Sequence, residues 1–204
     1  MSFTPFVQTV GNAPAPLATT LGGTGGQYPW SGADDGFLGF NSDPASASGG
    51  GLLIASTAYL ARLPIRVTTT ISNIWFCVSS TGSGASVTSF VWIVSGATGA
   101  VLAQSTAAAA QAAMTGTGWQ SVAMQAPVTV SGGQPFPYAV ILPNLATTQP
   151  TLLRQLNTVN NSPQNPVALA SARWAAQAAF GSAVAAVTLA SNANTGFSNI
   201  VGWS

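Results

Sequence analysis

A chain of 204 residues that is 47% hydrophobic has room for one domain with a sizeable core, yet only 3% of it is charged. The whole charged set is Asp34, Asp35, Asp43, Arg62, Arg66, Arg154 and Arg173, for a net charge of +1. That balance excludes a basic footprint for nucleic acid, and the lack of Lys, Glu and His removes the usual general bases.

The opening stretch MSFTPFVQTV has neither the positive region nor the continuous apolar region of a secretory signal, so export through one is not expected. Ser, Thr, Gly and Pro interrupt every hydrophobic run before it reaches the roughly 18 residues of a transmembrane helix. The segments are also too short and too rich in proline for an outer-membrane barrel. No membrane insertion is expected.

Residues 1–50 read as an extended arm. GNAPAPLATTLGGTGG has the Pro and Gly density of a linker, and SDPASASGGG closes the segment with a second loop. Between them, QYPWSGADDGFLGFNSD carries Tyr28, Trp30, Phe37 and Phe40. These aromatics suit either an arm that covers its own domain or one that docks on a neighbour.

From residue 51 to 204 the pattern becomes β-branched and aromatic runs separated by turn signals, as in an all-β sandwich or barrel. IRVTTTISNIWFCVSS predicts a strand pair or one long bent strand, with Ile74, Phe76 and Val78 on one face and Trp75 and Cys77 on the other. In VTSFVWIVS both faces are apolar, which predicts a strand buried on both sides. SGATGAVLAQS turns it into a hairpin over Phe90 to Gln104.

TAAAAQAAM, Thr106 to Met114, is rich in the best helix former but too short to be stable unaided, so it predicts a surface loop with one helical turn. WQSVAM, PVTVSGG and PFPYAVILP supply three more strands, with prolines at their starts and ends. TLLRQ, SARWAA and AVAAVTLA bring the total to about eight, the number of a jelly roll.

The chemistry is thin. A hydroxyl or thiol nucleophile needs an activating base, and no His or Lys exists to serve Cys77 or any Ser. Cys77 is expected as a small buried hydrophobe in a strand. Asp34 and Asp35 are adjacent and need not converge, so a carboxylate pair for glycoside cleavage exists on paper only.

Asp34, Asp35, Asn41 and Asp43 contain enough oxygen for a calcium ion, but their spacing is not that of an EF-hand, and solvated loop carboxylates or helix caps are the simpler reading. No metal and no cofactor is expected. GGTGG lacks the Lys and the preceding strand of a phosphate loop. Of the six tryptophans, Trp75 and Trp92 lie in strands and are expected in the core, whereas Trp30, Trp119, Trp174 and Trp203 are open to other uses, sugar stacking among them.

The succession LARLPIRVTTTISNIWFCV, SFVWIVSGATGAVLAQS, GWQSVAMQAPVTVSGGQPFPYAVILP and QPTLLRQ resembles a β-rich domain of minor tail and tail-fibre-like proteins of phages that infect actinobacteria. Leu102 to Ser105, Trp119, Pro127, Gly132 and Tyr138 fall where that domain has its return strand, Trp-initiated strand, proline strand, glycine turn and Y-x-V strand. LGGTGG looks like the GGTG string of phage fibre proteins. The likeness covers roughly Leu52 to Leu156.

The resemblance implies a structural, non-enzymatic part of a virion, and the length of this chain suggests a small tail-tip or fibre-associated subunit rather than a whole fibre. A decoration protein on the head and a receptor-binding module for host-surface glycan are the alternatives. The expected partners are other virion proteins and further copies of the chain, a trimer being one symmetry. In this reading the arm from Ser2 to Gly50 extends over a neighbour, with Phe3, Phe6, Trp30, Phe37 and Phe40 as its buried anchors.

Overall fold

The computed structural model describes residues 37–41, 47, 49–85, 88–156, 174–177 and 197–204, all of them within the unit Gly32–Ser204. Among these residues the chain forms twelve strands and one helix. The strands make two antiparallel sheets that face each other across a shared apolar layer.

The seven-stranded sheet is built on β4 (Thr69–Ser80) and β7 (Gly118–Val130), which pair along most of their length. On its other side β4 carries β12 (Val201–Trp203) and then β9 (Thr151–Leu156). β9 also pairs with β2 (Gly49–Leu52) and β11 (Phe197–Asn199), and β1 (Gly39–Phe40) pairs with β12. Strand pairing therefore begins inside the segment that the sequence assigns to the arm.

The second sheet has the order β10 (Trp174–Gln177), β3 (Ala58–Arg62), β8 (Tyr138–Leu142), β5 (Phe90–Val94), β6 (Val101–Gln104). AVAAVTLA lies outside the described residues.

The long bent strand is one of the two forms expected for IRVTTTISNIWFCVSS. Its inward residues Ile74, Phe76 and Val78 are buried and its outward residues Trp75 and Cys77 are only half-buried, as period-two alternation demands. WQSVAM and PVTV, expected as separate strands, form one. The pairing with β4 steps from Ile71↔Val128 to Asn73↔Ala123. Four residues of β7, Met124 to Pro127, thus bulge opposite Ser72, and Pro127, which has no N–H to give to a ladder, sits in that interruption.

The segment expected as a surface loop is a nine-residue helix, α1 (Ala107–Thr115). The Thr106 hydroxyl accepts from the Ala109 N–H at 3.1 Å and caps it. Ala110, Ala113 and Met114 are buried in the layer between the sheets. Tertiary packing of one face offsets the nucleation cost that makes so short a helix unstable alone.

The layer between the sheets takes Ile71, Ile74, Phe76, Val122 and Leu152 from the larger sheet and Ala61, Val91, Ile93 and Ile141 from the smaller. A second apolar layer, with Leu60, Trp92, Val94, Tyr138, Val140 and Leu142, lies on the opposite face of the smaller sheet. β5 is therefore buried on both faces, as the unbroken FVWIV predicts. One seam joins the two sheets through hydrogen bonds: Ser105, just after β6, bridges to Met124 of β7, and the Gln125 side-chain amide donates to the Ser105 carbonyl at 3.1 Å.

Candidate functional site

The outward face of the larger sheet carries a group of aromatic rings. Alternation along β4 turns Trp75 and Cys77 outward, and alternation along β7 turns Trp119, Ser121 and Ala123 the same way. Register places Trp119 opposite Cys77, Ser121 opposite Trp75 and Ala123 opposite Asn73. On the other side of Trp75 stands Gly202 of β12. A Cβ at Gly202 would lie 2.8 Å from the Phe40 ring and 2.9 Å from the Phe37 ring. The missing side chain is the space those two rings occupy.

Phe37 is the hub. Its ring centroid is 4.5 Å from Phe40, 4.8 Å from Trp75 and 5.6 Å from Trp119, and Phe40 and Trp119 are also 5.6 Å apart. The rings are tilted or edge-on to one another, the arrangements their quadrupoles favour. Phe37 is buried, Phe40 and Trp75 are half-buried, and Trp119 is 36% exposed. The rings therefore grade from a covered centre to an open rim.

At the far end of the patch the Ser204 hydroxyl oxygen accepts from the Trp75 indole N–H at 2.9 Å and from the Asn73 amide at 3.2 Å. This fixes the Trp75 ring and sets polar groups beside it. β1, β4, β7 and β12 contain no charged side chain. The Cys77 thiol is pushed above its ordinary value by burial, so it stays protonated and neutral near pH 7.

Among the described residues the other side chains that can ionise are those of Tyr59, Tyr138, Arg62, Arg66 and Arg154. Burial raises both tyrosines; the Ile54 N–H, which donates to the Tyr59 hydroxyl at 2.9 Å, and the Arg62 charge near Tyr138 pull them partly back. Arg62 also lies 5.7 Å from the centroid of the Phe136 ring. Among the described residues no three His, Cys, Asp or Glu side chains gather as a metal site, and no helix is long and apolar enough to cross a membrane. The patch is equipped to hold a ligand by stacking and neutral hydrogen bonds.

Of the five expected anchors, Phe37 and Phe40 are here, packed on their own sheet; Phe3, Phe6 and Trp30 lie outside the described residues. So do Asp34, Asp35 and Asp43 of the calcium candidate. Its fourth member, Asn41, is buried in a structural role: it donates to the Asn199 carbonyl at 2.9 Å and accepts from the Val201 N–H at 2.7 Å, tying the end of β1 to the junction of β11 and β12.

Trp92 is in the core as expected, whereas Trp75, expected there too, is half-buried on the outer face. Trp203, left open by the sequence, points inward and is buried. A Cβ on its partner Gly39 would lie 2.5 Å from its indole. Sequence reasoning put Trp75 and Cys77 on one face and left Trp119 open, but it missed that a Phe37 from far upstream joins the two tryptophans. The available signal was Gly202 between Val201 and Trp203, a strand position without a side chain that marks close approach by something else.

No protein-family model, curated protein or solved structure matches this chain. Fold and site together define it as an all-β protein of two facing antiparallel sheets, with an aromatic patch on the outer face of the larger one, on strands that carry no charged side chain.

Proposed function

We propose that the protein is a structural, non-enzymatic subunit of a bacteriophage virion, a minor tail component at the tail tip or on a fibre. In this reading the two sheets form a sandwich of the jelly-roll type, and the chain works as an oligomer seated on other virion proteins. One observation carries the reading. Leu38, Leu52, Ile54, Val67, Leu102 and Trp119 stand exposed on a chain that is only 3% charged and whose net charge is +1. Such a surface has little electrostatic repulsion to keep copies apart and much apolar area to bury when they meet.

The resemblance of the strand succession to that of tail and fibre proteins supports the same reading and suggests the particle. Phe37 and Phe40 are committed to their own sheet, so Phe3, Phe6 and Trp30 carry the docking of the arm on the neighbour. Each such aromatic contributes about 1.5–3 kcal/mol when buried, before ordering costs.

The test is to locate the chain on intact particles and count its copies. A few copies at the tail tip uphold the proposal, hundreds on the shell convert it to a head decoration protein, and absence from purified particles ends it. Deleting residues 2–31 is expected to release the protein from particles; normal occupancy of the shortened chain would remove the arm from the mechanism.

A further inference from the structure

The four-ring patch is more than the sandwich needs. The apolar layer between the sheets is built from the inward residues of β4, β7 and β12, while Phe37, Phe40, Trp75 and Trp119 lie on the opposite face of the same strands. Solvated outward positions on a one-sided sheet are ordinarily polar, and the neighbouring outward positions Asn73, Ser79, Ser121 and Thr129 follow that rule. The aromatic residues depart from it together, and Gly202 makes room for two of them.

We propose that this patch binds an uncharged oligosaccharide, with Trp119 as the exposed stacking platform and Ser121, Asn73 and Ser204 as hydrogen-bonding partners along its length. The inference stands independently of where on a particle the chain sits. Three observations select this ligand class.

First, none of the side chains on the four contributing strands is charged, so among the described residues there no ion pair repays the desolvation of a phosphate, sulfate, carboxylate or ammonium group, which favours a neutral ligand. Second, the patch alternates ring surface with hydroxyl and amide groups: Trp119, then Ser121 beside Trp75, then Asn73 with Ser204. From Trp119 to Ala123 the strand advances about 13 Å, the span of an oligosaccharide rather than a single sugar ring. Pyranose rings present C–H faces for the aromatic surface and hydroxyls for the polar side chains. Third, among the described residues the large apolar side chains well exposed around the patch are Leu38 and Trp119, far short of the roughly 800 Å² per partner that a stable protein interface needs.

The experiment is isothermal titration of the full chain with neutral hexasaccharides of glucose, galactose, mannose and N-acetylglucosamine, with a sialylated and a sulfated oligosaccharide as comparators. Binding is expected to at least one neutral hexasaccharide, to persist in about 0.5 M salt because no ion pair is made, and to exceed binding of the charged comparators. Trp119→Ala is expected to weaken it by about tenfold or more and Trp119→Phe by less, since Phe keeps a ring to stack on.

Ser121→Arg, which adds bulk on the face and removes no packed ring, is expected to abolish binding while leaving the melting temperature unchanged. It keeps the test decisive should Trp119→Ala unfold. No binding to any of the four neutral hexasaccharides overturns the proposal, as does binding that Ser121→Arg leaves intact. A chain that binds no saccharide and dissociates from oligomer to monomer on Ser121→Arg would show the patch to be an interface between copies instead.

Discussion

The two sheets use their second faces in opposite ways. The inner strands of the five-stranded sheet are buried on both: β8 reads YAVIL with every residue buried, β5 reads FVWIV, and inside and outside cannot be told apart by polarity. The seven-stranded sheet has one buried face and one turned outward, and its two long strands alternate on either side of the bulge opposite Ser72. The comparison teaches where aromatic residues are informative. In the smaller sheet Trp92 is one apolar residue among many and packing explains it; in the larger sheet Trp75 and Trp119 interrupt a polar row and need another explanation.

The largest effect that can test this contrast is at the shared layer. Phe76 is fully buried between the sheets, and Phe76→Ala is expected to cost about 3–5 kcal/mol in urea unfolding. Phe37→Ala, on the outer face, should cost less, about 1.5–3 kcal/mol. Equal losses would erase the distinction and make the aromatic patch a third core layer.

A middle-sized effect is expected where the sheets join. The buried Ser105 hydroxyl accepts from the Val91 N–H at 3.0 Å, inside the strand pair that also meets β7 through Met124. Ser105→Ala strands that N–H and is expected to destabilise by about 1–3 kcal/mol. Hydrogen exchange should place the loosened amides at the Ser105–Met124 seam rather than along the β4–β7 pair.

These effects also show what was legible beforehand. Alternation in TISNIWFCV was enough to assign each residue of β4 to a face, because period-two geometry is local. The hairpin from Phe90 to Gln104 was legible for the same reason. The helix after Thr106 was not, since its stability comes from Ala110, Ala113 and Met114 reaching a core assembled from distant strands. Neither was the union of WQSVAM with PVTV, where a proline that suggests a boundary falls in a bulge. The patch was half legible: the face of Trp75 could be read, but the arrival of Phe37 and Phe40 depends on β1 pairing with β12, more than 160 residues away in sequence.

A smaller effect again is expected at the rim of the patch. Trp119 keeps 36% of its surface exposed, so Trp119→Ala should cost about 1 kcal/mol or less, with near-UV circular dichroism changed because the ring leaves its neighbours Phe37 and Phe40. A loss as large as that of Phe76→Ala would mean that the ring supports the fold, and the reason to assign it to a ligand would go.

The smallest expected effect is that of pH across the neutral range, and it sorts the two sheets by chemistry. The chain has no His, Lys or Glu, and among the described residues the groups that burial shifts are Tyr59, Tyr138 and Cys77, all upward. Each is neutral when protonated, so a raised value in the folded state means that folding favours the proton-bound form. Their contribution is complete below the ordinary values of roughly 8.5 for the thiol and 10 for the phenols, and it is lost as pH rises through the shifted ones. The melting temperature is therefore expected to stay flat from about pH 6 to 8 and to fall above about pH 10. Both tyrosines sit in the five-stranded sheet, one on each face. Tyr59→Phe and Tyr138→Phe together should flatten the alkaline fall, whereas Cys77→Ser, on the outer face of the other sheet, should leave most of it in place; the reverse outcome would put the alkaline weakness on the aromatic face.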